Sequence, residues 1–275
     1  MTAPNRTLAA PLLALRHVHV RHASASHDTL RDLSLEIRSG EILALVGPNG
    51  SGKSTALATL GQVLRPRAGR VELTGTDASR LGRRAFARQV ARLPQHPACP
   101  EGLRVIDLVL AGRYAHRGPL DAFSPHDLSA AREALRAVDL LDLRLRTMET
   151  LSGGEARRAW LAMVLCQEAP ILLLDEPTAG LDLRHQHELL ELLWALREHR
   201  RATLVVVLHD LEQAAWLADR VAVLHRGRLY AVGPPERVFI PETLRDVFGI
   251  AATIRHDGAG LAIRVSQAVT PLRSL

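Results

Sequence analysis

Gly47-Pro48-Asn49-Gly50-Ser51-Gly52-Lys53-Ser54-Thr55 contains the only lysine of a 275-residue chain whose other 34 Lys/Arg residues are all arginine. Arginine is a planar fork of five donors, whereas lysine is a compact ammonium on a flexible stem. A narrow backbone loop wrapped around phosphate oxygens has room for the second and not for the first. The spacing is G-x-x-x-x-G-K-S, the pattern of a phosphate-binding loop. Residues 41–46 ahead of it form an apolar run that reads as a buried strand. Residues 55–63 after it lack proline and place Leu57 and Leu60 at helical spacing. In that strand–loop–helix context the glycines let backbone N–H groups converge on phosphate oxygens, and the helix N-terminus adds its dipole. Lys53 is placed to reach the β- and γ-phosphates and the Ser54 hydroxyl to ligate Mg²⁺.

The chain is long enough to bury a sizeable core. Its apolar content is 47 % with only 3 % aromatics, so the core is built from Leu, Val, Ala and Ile. No apolar run approaches the roughly 18 residues needed to cross a bilayer. The mildly apolar stretch 7–15 contains Pro11 and has only Arg6 ahead of it, which argues against a secretory leader. Cys99 and Cys166 stand alone, without ligand spacing, as expected of thiols in a reducing compartment. The net charge of +6 invites a nucleic-acid partner, but the arginines are spread along the chain without interleaved aromatics. The densest group, Arg80, Arg84, Arg88 and Arg92 with Arg83, reads as the solvated face of a helix over 79–91.

Taken in order, 13–20 and 33–37 alternate like strands, and 70–74 is another. Pro97, Pro100 and Gly102 break the chain, and from Val105 to about Met148 the patterning is helical. Ser124-Pro125 looks like a cap and first position, so 98–150 reads as a helical insertion into an α/β core. Residues 171–175 form a continuous apolar run ending in Asp175-Glu176, which fits a strand covered on both faces. Residues 181–197 read as a long amphipathic helix, and 203–208 as a buried strand ending in His209. Two short strands flank Arg226-Gly227, 236–248 reads as a helix, and 250–265 as a terminal hairpin. Alternating strands and helices give an α/β class. In parallel sheets ligands sit at the carboxyl ends of strands. Asp175 is therefore expected to hold Mg²⁺ and Glu176 to polarise a water attacking the γ-phosphate.

Leu151-Ser152-Gly153-Gly154-Glu155 resembles the signature of ATP-binding-cassette (ABC) ATPases, and the family's other motifs follow in order over about residues 13–250. Gln95 matches the Q-loop glutamine, Asp175 and Glu176 the Walker B pair, 179–182 the D-loop with Asp182, and His209 the switch histidine. The resemblance implies a P-loop NTPase (RecA-like) α/β fold with an N-terminal antiparallel β portion and an inserted α-helical subdomain. It makes 13–250 one ATPase domain, and leaves 251–275 as an extension of a hairpin and short tail. ATP and Mg²⁺ are the implied cofactors. Gly47, Pro48, Asn49, Gly50, Ser51, Gly52, Lys53, Ser54 and Thr55 would hold nucleotide, and Ser54, Gln95 and Asp175 the metal. Glu176, His209 and Gln95 would act on the γ-phosphate. Ser152, Gly153 and Gly154 would reach ATP held by a second copy, so that two chains pair head to tail, and Asp182 of the D-loop would join the nucleotide-binding residues. The family stacks adenine on an aromatic residue after the first strand; the counterpart here is His22, in a stretch without Phe, Tyr or Trp.

Several stretches are similar to the ATPase subunits of ferric-siderophore importers, among them 159–168, 181–186, 112–116 and 233–238. The implied partners are integral membrane permease subunits and, indirectly, a solute-binding protein, with the ATPase peripheral on the cytoplasmic face of the inner membrane. Haem or cobalamin import is the alternative. A soluble ABC ATPase acting on nucleic acid or ribosomes is a more distant one, since coiled coils, zinc clusters and tandem cassettes are missing.

Overall fold

A computed structural model describes residues 11–21, 27–95, 99–118, 121–257 and 260–268. The chain opens with β1 (Leu13–Val20), β2 (Leu30–Ile37) and β3 (Ile42–Val46), followed by α1 (Lys53–Leu60), β4 (Ala68–Leu73) and β5 (Thr76–Asp77). Next come α2 (Arg83–Ala87), β6 (Val90–Leu93), α3 (Val105–Ala111), α4 (Pro125–Ala137) and α5 (Gly153–Cys166). The second half holds β7 (Ile171–Asp175), α6 (Leu183–Arg200), β8 (Thr203–Val207), α7 (Leu211–Leu217), β9 (Arg220–His225) and β10 (Arg228–Gly233). It closes with α8 (Pro235–Val238), α9 (Pro241–Phe248), β11 (Ile250–Asp257) and β12 (Gly260–Ala268).

The apolar runs form one sheet in the order β10-β9-β3-β8-β7-β6. Its strands from β9 to β6 are parallel, and β10 is antiparallel at the edge. Every residue of β3, β7 and β8 is buried. The strand period of two explains why. Ile42, Ala44 and Val46 face the larger apolar core, shared with the helices from α3 to α9. Leu43 and Leu45 face a second core shared with α1 and the antiparallel sheet β2-β1-β4-β5. Helix α1, with seven of its eight residues buried, is thus held between two sheets.

Two expected elements differ. The expected helix over 79–91 is a 3-10 turn at Ala78–Arg80 and the short α2, and the chain then forms β6. Val90 and Leu93 pair in register with Ile171 and Leu174. The burial gained by extending the sheet outweighs the helical spacing of the arginines, and Arg92 turns inward. The expected helix over 236–248 is broken at Ile240 because Pro241 starts α9. Proline fits a first helical turn but not a helix interior. The Ser124-Pro125 reading holds: Ser124 and Asp127 form a reciprocal cap and Pro125 opens α4. The terminal hairpin is present as β11 paired with β12, while the expected tail lies outside the described residues. No helix among the described residues is long and apolar enough to cross a membrane.

Candidate functional site

Four parallel strands end at one edge of the sheet. There β3 delivers the glycine loop, β6 delivers Gln95, β7 delivers Asp175 and Glu176, and β8 leads through Leu208 to His209. These ends border an open cleft of about 500 Å³, lined by the loop, Gln95, Glu176, His209 and Thr29.

The loop is shaped by backbone geometry. Gly47 has φ 147°, and a Cβ there would lie 2.2 Å from the Leu224 carbonyl oxygen. Gly52 caps α1 with φ 104°, and a Cβ there would press on the Leu30 side chain at 2.7 Å. No side chain caps the α1 N-terminus, so its first N–H groups face the cleft as helix-start donors do. Lys53 is 5 % exposed. Its Nζ donates to the carbonyls of Gly47 at 2.8 Å and Pro48 at 3.1 Å. Burial pushes its pKa down from the ordinary lysine value, against the pull of Glu176 and Asp175. The buried Ser51 hydroxyl has no protein partner, leaving a polar atom in the cradle for a ligand to satisfy.

Facing the loop, Ser54 donates its hydroxyl to Asp175 Oδ1 at 3.0 Å. Burial raises the Asp175 pKa above its usual range, opposed by that hydrogen bond and by Arg92. Arg92 Nη2 lies 4.0 Å from Asp175 Oδ2. Among the described residues no group of three His, Cys, Asp or Glu side chains could hold an ion. Two converging oxygens suit a hard cation that keeps waters and phosphate oxygens in its shell, as Mg²⁺ does.

Glu176 is held at both carboxylate oxygens. Gln95 Nε2 donates to Oε2 at 2.7 Å, and His209 Nε2 lies 2.5 Å from Oε1. Its backbone has φ 49°. A non-glycine residue in the left-handed region costs of order 1–3 kcal/mol and persists only where its surroundings enforce it. Arg157 of α5 donates to four carbonyls around it: Pro94, Gln95, Asp175 and Glu176. Burial pushes the pKa of its guanidinium down.

Sequence reading missed Arg157 and Thr29. Neither sits at a motif position, and an arginine inside a helix reads as surface. The expected residues 47–55, Gln95, Asp175, Glu176 and His209 do come together. Ser152, Gly153, Gly154 and Asp182 do not join this cleft. Ser152 caps α5, accepting from Glu155 N–H at 3.2 Å, and Gly153 faces open space. Asp182 is exposed and caps α6. His22 lies outside the described residues.

The profile of the ABC transporter family matches residues 30–179, from β2 to the segment after Glu176. This chain is an ABC transporter ATPase. The ferric enterobactin transport ATP-binding protein FepC of Escherichia coli is 39% identical over 226 residues, covering 82% of this chain and 83% of that protein. The hemin import ATP-binding protein HmuV of Nocardia farcinica is 46% identical over 219 residues, covering 80% and 75%. Solved structures share most of the fold of this ABC ATPase. One, described as an inward-facing ABC transporter of metal-chelate type, superposes with TM-score 0.78 at 26% identity, covering 93% of this chain and 96% of that one. Another, a dimeric ATP-binding cassette holding ADP and phosphate after hydrolysis, superposes with TM-score 0.73 at 26% identity, covering 81% and 98%.

Proposed function

We propose that this ABC ATPase drives uptake of a ferric siderophore through a separate membrane permease, pairing with a second copy around two ATP molecules. The observation that supports the cargo class is the relatedness to importer subunits named for ferric chelates, at about 40% identity over four-fifths of both chains. A solute-binding protein would deliver the cargo, and the ATPase would sit at the cytoplasmic face of the membrane. Haem is the second reading, favoured by the 46% identity to the Nocardia hemin import protein.

In the reaction, the loop amides and Lys53 hold the β- and γ-phosphates. Ser54 and Asp175 would hold Mg²⁺, which would neutralise charge on the phosphate oxygens. Glu176 takes a proton from a water as that water's oxygen bonds to the γ-phosphorus. The bond to the β-phosphate oxygen breaks, leaving ADP and inorganic phosphate. Each Glu176 oxygen holds one contact and keeps a second lone pair, so the base can accept the water's proton while Gln95 and His209 orient it. His209 and Gln95, which flank Glu176, would contact the γ-phosphate side of the cleft. The Ser152–Gly154 segment supplies the anion site that closes on the partner's ATP.

Growth tests the cargo. A deletion strain is expected to fail on a ferric siderophore as sole iron source and to recover with the wild-type gene but not with Lys53→Ala. Normal growth of the deletion strain on siderophores, with failure on haem alone, would transfer the assignment to haem.

A further inference from the structure

Arg157 is the fifth residue of α5, about one turn beyond the Ser152–Gly154 segment, whose Ser152 and Gly153 are exposed. Its guanidinium spans two chain segments. Nη1 donates to Pro94 O at 2.9 Å and Gln95 O at 2.8 Å, while Nη2 donates to Glu176 O at 2.8 Å and to Asp175 O. The four N–H bonds of the two terminal nitrogens are all used, and buried Nε has no partner. The two segments are also tied at the cleft, where Gln95 donates to Glu176. A closed circuit results: the same two residues are joined in front by their side chains and behind by one planar cation.

Anchoring α5 to the sheet does not need this cation. The helix already buries Ala159, Leu161, Ala162, Val164, Leu165 and Cys166, and its start carries a reciprocal Ser152–Glu155 cap. Taking a guanidinium out of water is costly unless its donors are satisfied. Here four of the five are spent on the peptide groups around Gln95 and Glu176, and the Glu176 backbone is in the left-handed region.

We propose that Arg157 is a positioning residue for ATP hydrolysis. It holds Glu176 and Gln95 in fixed relation and makes both answer to the helix that starts at the signature segment. A partner's ATP bound at the α5 N-terminus is thereby linked to the base through roughly one helical turn (5.4 Å of rise) and one guanidinium. The inference rests on the reading of Glu176 as the base.

The test compares full-length wild type, Arg157→Lys, Arg157→Gln and Glu176→Gln for steady-state ATP hydrolysis, ATP binding and thermal unfolding. Lysine keeps the charge and loses the planar fork. Misplacing a catalytic group by about 1 Å costs on the order of 10²-fold. Arg157→Lys is therefore expected to lower kcat by about 10- to 100-fold while KM and ATP affinity stay within about threefold, the pattern of an interaction used only in the transition state. Arg157→Gln is expected to fall at least as far. If glutamine prevents folding, the lysine variant carries the test alone. Wild-type kcat in Arg157→Lys overturns the proposal, as does a parallel loss of ATP affinity and cooperative unfolding. Glu176→Gln separates the two readings. If it hydrolyses ATP at the wild-type rate, the base assignment is wrong; if it is inactive while Arg157→Lys is fully active, only the role of Arg157 is wrong.

Discussion

The cradle at the end of β3 and the helical side of the site hold charge by opposite means. In the cradle the backbone does the work. Gly47 and Gly52 adopt conformations and approaches that a Cβ would obstruct, and Lys53 rests on two carbonyls. On the helical side, arginine side chains join segments distant in sequence. Arg113, beyond the end of α3, donates to Asp127 of α4 at 2.8 Å, Glu168 at 2.7 Å and the Cys166 carbonyl at 2.8 Å. Arg157 links α5 to the ends of β6 and β7 in the same manner. The cradle is a site made before any ligand arrives. The helical side is held by side-chain struts between segments distant in sequence.

The largest effect that could break this contrast is at Arg113. The Arg113 and Asp127 side chains are 4% and 6% exposed. Breaking a buried pair by removing one partner leaves an uncompensated charge, and Arg113→Ala should destabilise the protein by about 3–5 kcal/mol, read by urea unfolding. A change below about 1 kcal/mol would show that the helical side is not held by its struts. Next is Lys53→Arg. It keeps the charge but cannot fit the two carbonyl contacts. Hydrogen bonds to charged groups contribute about 1.5–3 kcal/mol, so ATP binding by titration should weaken by about 10- to 100-fold with stability little changed. Undiminished binding would mean that the loop does not discriminate between cations.

The smallest effect is an acid slope. Burial pushes the Asp127 carboxyl up, but Arg113 and Ser124 outweigh it and hold its pKa at about 2, below the usual 3.8. A carboxylate with a depressed folded pKa gives stability that is present above the unfolded value and lost as pH falls through the folded one. Asp127 should therefore withdraw stability between about pH 4 and 2. Asp175, raised by burial, has the opposite sign, its unfavourable contribution easing on acidification. Urea midpoints across that range should fall less steeply in Asp127→Asn than in wild type. Equal slopes would remove Asp127 as a source of acid sensitivity.

The same contrast explains what could be read from the sequence. Strands β3, β7 and β8 are apolar apart from Asp175 and Thr203 at their ends, because both faces are covered, and such a run announces that. The cradle was legible because few residue types satisfy its backbone, so glycine, lysine and serine recur at fixed spacing. β6 was not legible: Arg92 interrupts a four-residue run, and the arginines before it mimic a helix face. Arg157 and Arg113 were not legible either. Nothing local separates a buried strut from the solvated arginines in a chain with 34 of them; only the fold brings Pro94, Gln95, Asp175 and Glu176 within reach of one guanidinium. Thr29 borders the cleft because its backbone lies against Gly52 and Gly227, a long-range contact without a local pattern.

The central claim is that the β3 cradle and Glu176 form an ATP-hydrolysing site that two copies complete. The most direct measurement is ATP turnover, together with solution mass, for full-length Glu176→Gln in the presence of ATP and Mg²⁺. The account predicts hydrolysis reduced by at least about 10²-fold, the scale of losing a general base, and a stable ATP-dependent species of twice the 30.1 kDa chain mass. Turnover at the wild-type rate, or a species that stays at the chain mass with ATP bound, would contradict it.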